Sequence, residues 1–218
     1  MCAIMGGWGP RNGAFFLARK RCDILSRMED AKILAVVGMS GSGKTTVIDY
    51  LTEKKIPKVY FGGIILRAME EAGIEITPDN ERKFREEIRE REGKDFVVRR
   101  VVEEVRNLIN AGQRRIVLDG LYTWTEYKIL KKEFPSEKTM EVVAVVLPKN
   151  LRHKRVADRP DRPFDAKAIS ERDWSEIENL EKGGPIANAD YYLDNSGTIK
   201  DLHENLANLL KEIDFLPR

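Results

Sequence analysis

The sequence predicts a three-layer α/β fold, built on a five-stranded parallel sheet. Three observations predict it. Short apolar runs of the strand kind alternate with longer helix-compatible segments, as they do when crossover helices cover a parallel sheet. One run, Val142 to Leu147, is apolar at every position, as a central strand covered on both faces must be. The stretch Gly38-Met39-Ser40-Gly41-Ser42-Gly43-Lys44-Thr45 fits G-x-x-x-x-G-K-[ST] and lies between an apolar run and a helix-compatible one.

Each element has its own signal. Ile33 to Val37 is the first strand, and the glycine loop leads into a helix from Gly43 to Lys54. Ile56 to Phe61 reads as a short second strand, Gly62-Gly63 as a turn, and Ile64 to Ala72 as a helix ended by Gly73. Thr77 is a good N-cap, Pro78 suits the first helical position, and Asp79 suits the positive end of a helix running to Glu92. Phe84 and Ile88 are its apolar pair, and Gly93 breaks it. Asp95 is placed to cap the next helix, in which Val97, Val98, Val101, Val102, Val105, Leu108 and Ile109 share one face until Gly112. Ile116 to Asp119 is a buried strand, Thr125 to Phe134 a helix, and Val142 to Leu147 a strand closed by Pro148. A basic helix follows, then Arg159-Pro160-Asp161-Arg162-Pro163, which cannot be helical. Asp165 caps a helix reaching Lys182, and Gly183-Gly184-Pro185 is a turn. Tyr191 to Asp194 is the last strand and Asn195-Ser196-Gly197 a loop. The final helix carries Leu202, Leu206, Leu209, Leu210 and Ile213.

The chain of 218 residues reads as one domain, 32–218, behind a flexible extension, 1–31. A helical insertion at 77–112 and a lid at 152–165 interrupt the simple alternation. With 38 basic and 36 acidic side chains, the net charge of +2 gives no pull toward nucleic acid. No apolar run approaches the ~20 residues of a membrane helix. Cys2 and Cys22 lie ahead of the first strand without metal-ligand spacing, which fits reduced thiols in the cytoplasm. In the extension, Arg and Lys follow the apolar cluster Phe15-Phe16-Leu17, the wrong order for a signal peptide. Met28 also fits as a translation start.

The glycine loop dictates the chemistry. Its backbone N–H groups can close around phosphate oxygens, and the helix behind it adds the positive end of its dipole. Gly38, Ser40, Gly41, Ser42, Gly43, Lys44, Thr45 and Thr46 are therefore candidate ligands of an ATP or GTP phosphate tail. Lys44 can reach the outer phosphates, and the Thr45 hydroxyl can ligate Mg²⁺. In parallel α/β sheets, ligands sit beyond the carboxyl ends of the strands. The phosphate loop, Gly62-Gly63, Asp119, the arginines after Pro148 and Asn195 all fall at such ends.

Asp119 ends its strand as a metal-holding carboxylate does; it can equally cap the turn at Gly120. Arg152, Arg155, Arg159 and Arg162, with Lys149, His153 and Lys154 among them, can form a lid that brings guanidinium groups to a moving phosphoryl. They can equally pair with Asp158, Asp161 and Asp165. Tyr122 and Trp124 can line an acceptor pocket or pack against the helix that follows them. His153 and His203 read as surface residues.

Strand, phosphate loop and helix, then Gly63-Ile64-Ile65-Leu66-Arg67, Asp119-Gly120, a basic lid and Ala189 to Gly197 together resemble the nucleoside-monophosphate-kinase-like P-loop kinases. Within these, the chain is most similar to dephospho-CoA kinases and the adenylate-kinase-like proteins of archaea. The resemblance spans Lys32 to Ile213 and implies the sheet order 2-3-1-4-5. It implies that Gly63 and Arg67 position the acceptor's phosphate, and that Gly120 and Tyr122 lie beside the acceptor. It implies that Asn195 and Gly197 lie beside adenine. The chain departs from the pattern at Ile64, where monophosphate kinases carry an acid, and at Tyr122, where they often carry arginine. It departs again at Tyr60 and Phe61, where dephospho-CoA kinases carry an aspartate that accepts a proton from the acceptor hydroxyl. Asp119 can serve as base in its place.

The function this implies is ATP- and Mg²⁺-dependent phosphoryl transfer to a nucleoside monophosphate or a nucleotide-like small molecule. Lys44, Thr45 and Asp119 would organise the nucleotide, and Arg155, Arg159 and Arg162 would act on the phosphoryl group. Dephospho-CoA is the alternative acceptor. A regulatory ATPase or switch acting on a protein partner is the alternative of another class. The N-K-x-D segment of a guanine-reading switch is absent.

Overall fold

The computed structural model describes residues 30–136, 139–158 and 165–216, the side chains of Pro78 and Arg82 excepted. Cys2, Cys22, Met28, Arg159 and Arg162 lie outside the described residues.

Five strands form one sheet in the order β2-β3-β1-β4-β5, every neighbouring pair parallel. They are β1 (Lys32–Val37), β2 (Lys58–Tyr60), β3 (Arg115–Asp119), β4 (Met140–Val146) and β5 (Tyr191–Asp194). Side chains alternate across a strand, so β1 splits its apolar residues between two cores. Ile33, Ala35 and Val37 face one core, Leu34 and Val36 the other. The second core is closed by Val47, Ile48 and Leu51 of α1 (Lys44–Glu53) and by Leu202, Leu206, Leu209 and Leu210 of α9 (Ile199–Glu212). The first is closed by α2 (Phe61–Glu71), α3 (Pro78–Glu92), α4 (Phe96–Asn110) and α5 (Trp124–Glu133). On α4, Val98, Val101, Val102, Val105 and Ile109 are buried, the face its periodicity predicts. Each such side chain removed from water contributes about 1.5–3 kcal/mol before entropy is counted. Thr77 accepts the Asn80 N–H and starts α3 at Pro78.

Four local expectations are corrected. The second strand stops at Tyr60, and Phe61, Gly62 and Gly63 are the first turn of α2 instead of a strand end and a turn. Phe61 and Ile65 are buried against the first core, and that burial outweighs the low helix propensity of two glycines. Asp95 precedes α4 without capping it, because its carboxylate pairs with Arg99 at 3.3 Å. The helix capped by Asp165, α7 (Ala166–Glu178), ends four residues before Lys182. Gly183-Gly184-Pro185 opens a short helix, α8 (Gly183–Ala187), against which Trp124 packs. The remaining helix, α6 (Lys149–Ala157), follows Pro148 directly. No helix among the described residues is long and apolar enough to cross a membrane.

Register sets the site. Val36 of β1 and Tyr60 of β2 both stand beside Asp119 of β3. The carboxylate is thereby delivered next to the loop that leaves β1.

Candidate active site

The phosphate loop turns on glycines with positive φ. Gly41 has φ 83° and Gly43 φ 98°, a region that L side chains rarely adopt. Space forbids a side chain as well. A Cβ on Gly41 would lie 2.4 Å from Val156 Cγ2, and one on Gly43 2.2 Å from Asn195 Nδ2. Gly43 precedes α1 without a capping side chain, so the first amides of the helix face the loop without intrahelical partners. Thr45 and Thr46 lie in that first turn, Thr45 exposed.

The loop's carbonyls are held from outside. Arg152 Nη1 donates to Ser40 O at 3.0 Å, and Asn195 Nδ2 donates to Ser42 O at 2.8 Å. Lys44 folds back and donates to Gly38 O at 2.8 Å and Met39 O at 3.0 Å. Burial, with Lys182 nearby, lowers the Lys44 ammonium from its ordinary value to about 8, although Glu176 and Asp119 pull the other way. The Ser42 hydroxyl is buried and has no hydrogen-bond partner among the described residues. Such an atom fits a polar ligand in the cradle.

Asp119 is half-buried at the end of β3, 3.8 Å from Lys58 Nζ. Burial raises its carboxyl above the ordinary value, opposed by Lys58 and Lys44. Gly120 follows with φ 102° and packs on the Tyr122 ring. Tyr122 sits under Lys182, whose ammonium is 4.7 Å from the ring centroid. Burial, then Tyr60 and Asp119, push the Tyr122 hydroxyl up. Trp124 instead stacks on Tyr127, centroids 4.9 Å apart, and takes the packing role.

Behind the loop lies a cleft of about 300 Å³. Its lining includes Tyr60, Gly62 and Leu66 on one side, Arg85 and Arg89 of α3 on another, and Tyr122, Arg172 and Lys182, together with the acids Glu81, Glu126 and Glu176; Arg85 pairs with Glu81. Gly63 lies against the Tyr60 ring beside it. Arg67 is on the adjacent face of α2, paired with Glu104 in a different groove. One helical step separates it from Leu66, which lines the cleft.

The basic helix is tied into the fold at two points. Arg152 is buried and grips Asp173 with both terminal nitrogens, at 2.6 and 2.5 Å. Arg155 donates to Asn195 O at 2.7 Å and Gly197 O at 3.0 Å, so it clasps the loop after β5. Arg155 and Asn195 thus support the cradle from behind.

Sequence reasoning missed Glu176, Lys182, Arg172, Arg85 and Arg89. Only one signal marked the first of these. The face of α7 at positions 169, 173 and 176 has helical spacing but carries two acids where an apolar stripe is expected, and the structure buries it.

Fold and loop together define a P-loop protein with the kinase fold. Among solved structures, a sugar kinase of Janibacter sp. HTCC2649 superposes with TM-score 0.52 at 19% identity, covering 86% of this chain and 96% of that one. A shikimate kinase of Bacteroides thetaiotaomicron gives TM-score 0.53 at 10% identity, over 84% and 98%. The AAA domain family model matches residues 34–179. A UPF0200 protein of Thermococcus kodakarensis is 33% identical over 83% of this chain and 97% of its own. Another, of Sulfurisphaera tokodaii, is 34% identical over 84% and 97%. The chain belongs to the UPF0200 family and carries an AAA domain.

Proposed function

We propose that the protein transfers a phosphoryl group from ATP, with Mg²⁺, to a nucleoside monophosphate or nucleotide-like small molecule. One observation carries the reading. A cleft lined by Arg85, Arg89, Tyr60 and Tyr122 adjoins the glycine loop through Glu176, which lines the cleft and accepts the Ser40 N–H. A phosphate acceptor is already ionised and needs positioning and charge neutralisation more than a base. The cleft offers those two things: guanidinium groups for an anion and rings for a planar base.

The loop amides would bind the donor's phosphates, Lys44 would turn from Gly38 O and Met39 O to the outer phosphates, and the arginines would hold the acceptor in line. Thr45 and Asp119 fit Mg²⁺, a hard cation that takes few protein oxygens and completes its shell with phosphate and water. Bound there, it would neutralise charge on the transferred group.

A hydroxyl acceptor such as dephospho-CoA is the second reading. It is favoured by the raised proton affinity of Asp119, which suits a general base. ADP release, assayed with and without a panel of monophosphates and dephospho-CoA, tests both. Acceptor-dependent release that Lys44→Ala abolishes, with the fold intact, is expected. Slow hydrolysis indifferent to every acceptor would replace the kinase by a regulatory ATPase.

A further inference from the structure

A carboxylate rests on the phosphate loop. Glu176 Oε2 accepts the Ser40 N–H at 3.0 Å. Its Oε1 accepts from Lys182 Nζ at 2.9 Å and Arg172 Nε at 3.3 Å. Glu176 is 4% exposed and Lys182 6%. One anionic oxygen on a loop amide, the other between two cations, is the bonding a phosphate group would take in that place. The helix that delivers it is loosely fastened by apolar contact. Of its side chains Ile169, Asp173 and Glu176 are buried, while Trp174 and Ile177 are exposed. Glu176 is therefore held by charge, and another anion can offer the same charges.

We propose that Glu176 is a built-in phosphate substitute: it occupies the loop before nucleotide arrives, and a nucleotide phosphate displaces it and takes over Lys182 as its own ligand. The inference rests on the nucleotide-binding reading of the loop. It adds two residues, one that competes with the nucleotide and one that is handed to it. Lys182 also touches the Tyr122 face in the acceptor cleft, so the handover places a cation between the two halves of the site. Burial would raise Glu176, but Lys182, the Ser40 amide and Arg172 outweigh it and keep the carboxyl below its ordinary value, so it competes as an anion at neutral pH.

Calorimetric titration with inorganic tripolyphosphate, which has no base, tests the proposal on wild type, Glu176→Gln and Lys182→Met. Glu176→Gln keeps the shape and removes the charge, so tripolyphosphate should bind about tenfold tighter, the scale of one charge-assisted hydrogen bond. Lys182→Met should bind about tenfold more weakly. Equal or weaker binding by Glu176→Gln, with an unchanged melting temperature, overturns the proposal. A second measurement needs no variant to fold: tripolyphosphate added to wild type should move the ¹³C resonance of the Glu176 carboxyl. An unmoved resonance, with binding seen by heat, also overturns it. Tightening by Glu176→Gln in a protein that phosphorylates no acceptor supports the substitute and removes only the kinase reading. Normal transfer with no effect of Glu176→Gln removes the substitute alone.

Discussion

Arg152 holds Asp173 through two short hydrogen bonds while its Nη1 also reaches the carbonyl of Ser40, so one guanidinium joins α6, α7 and the phosphate loop. Both side chains are 8% exposed. Removing one partner of such a pair strands a buried charge, at a cost of about 3–5 kcal/mol. His153 Nε2, 2.8 Å from Asp173, keeps part of the contact. Arg152→Met should therefore destabilise the protein by roughly 3 kcal/mol in urea unfolding, the low end of that range. Arg152→Met with Asp173→Leu should recover most of the loss. A double variant as unstable as the single would show that the pair does not carry the helix.

Gly43→Ala tests the cradle. The φ of 98° strains any side chain by about 1–2 kcal/mol, and the new methyl meets Asn195 Nδ2 at 2.2 Å. Nucleotide affinity and melting temperature should both drop. Adding Asn195→Ala relieves the contact but not the backbone, so the melting temperature should recover only in part. Full recovery would show that backbone conformation is unimportant there.

Nucleotide binding should take up a proton in mildly alkaline buffer. The Lys44 ammonium titrates at about 8 in the free protein, and a bound phosphate raises it. Above pH 8 the free side chain is largely neutral and the complex charged, so binding takes up a proton; near pH 6 both are charged. Titration heats in buffers of different ionisation enthalpy should show uptake at pH 8.5 and almost none at pH 6. Lys44→Met should abolish the difference. Folding has the opposite sign: the unfolded chain holds this proton up to its higher ordinary value and folding releases it, so Lys44 adds stability as pH rises from about 8 toward 10.5.

Arg67 and Arg85 separate two accounts of acceptor binding. Arg67 is half-exposed and paired with Glu104, a surface pair worth about 0–1 kcal/mol. Arg67→Ala should leave the acceptor KM unchanged. Arg85→Ala, in the cleft, should raise it about tenfold with a smaller effect on kcat. The reverse result would return the acceptor phosphate to α2.

The alternation of strands and helices and the glycine loop were legible in the sequence because each rests on local pattern; the sheet order came only from the family resemblance. The apolar runs Ile33 to Val37 and Val142 to Leu147 and the glycine-lysine spacing are all read within ten residues. The helix over Phe61 to Gly63 was not legible, since burial of Phe61 and Ile65 overrides glycine propensity only once the first core exists. The direction of Arg67 was hidden for a related reason. Its partner Glu104 is 37 positions away on another helix. Glu176 meets Ser40 across 136 positions, and no spacing rule links a helix acid to a distant amide. Arg152 and Arg155 were recognised as a basic group near the site, but their partners, Asp173 and the carbonyls after β5, depend on how α6, α7 and β5 meet.

The carbonyls of the phosphate loop are tied by side chains from α6 and from the segment after β5, over 100 positions away. A peptide spanning only the first strand, the glycine turn and α1 would lack those ties. It would recognise a triphosphate poorly, however faithful its motif. The cradle cannot be detached from the far half of the chain.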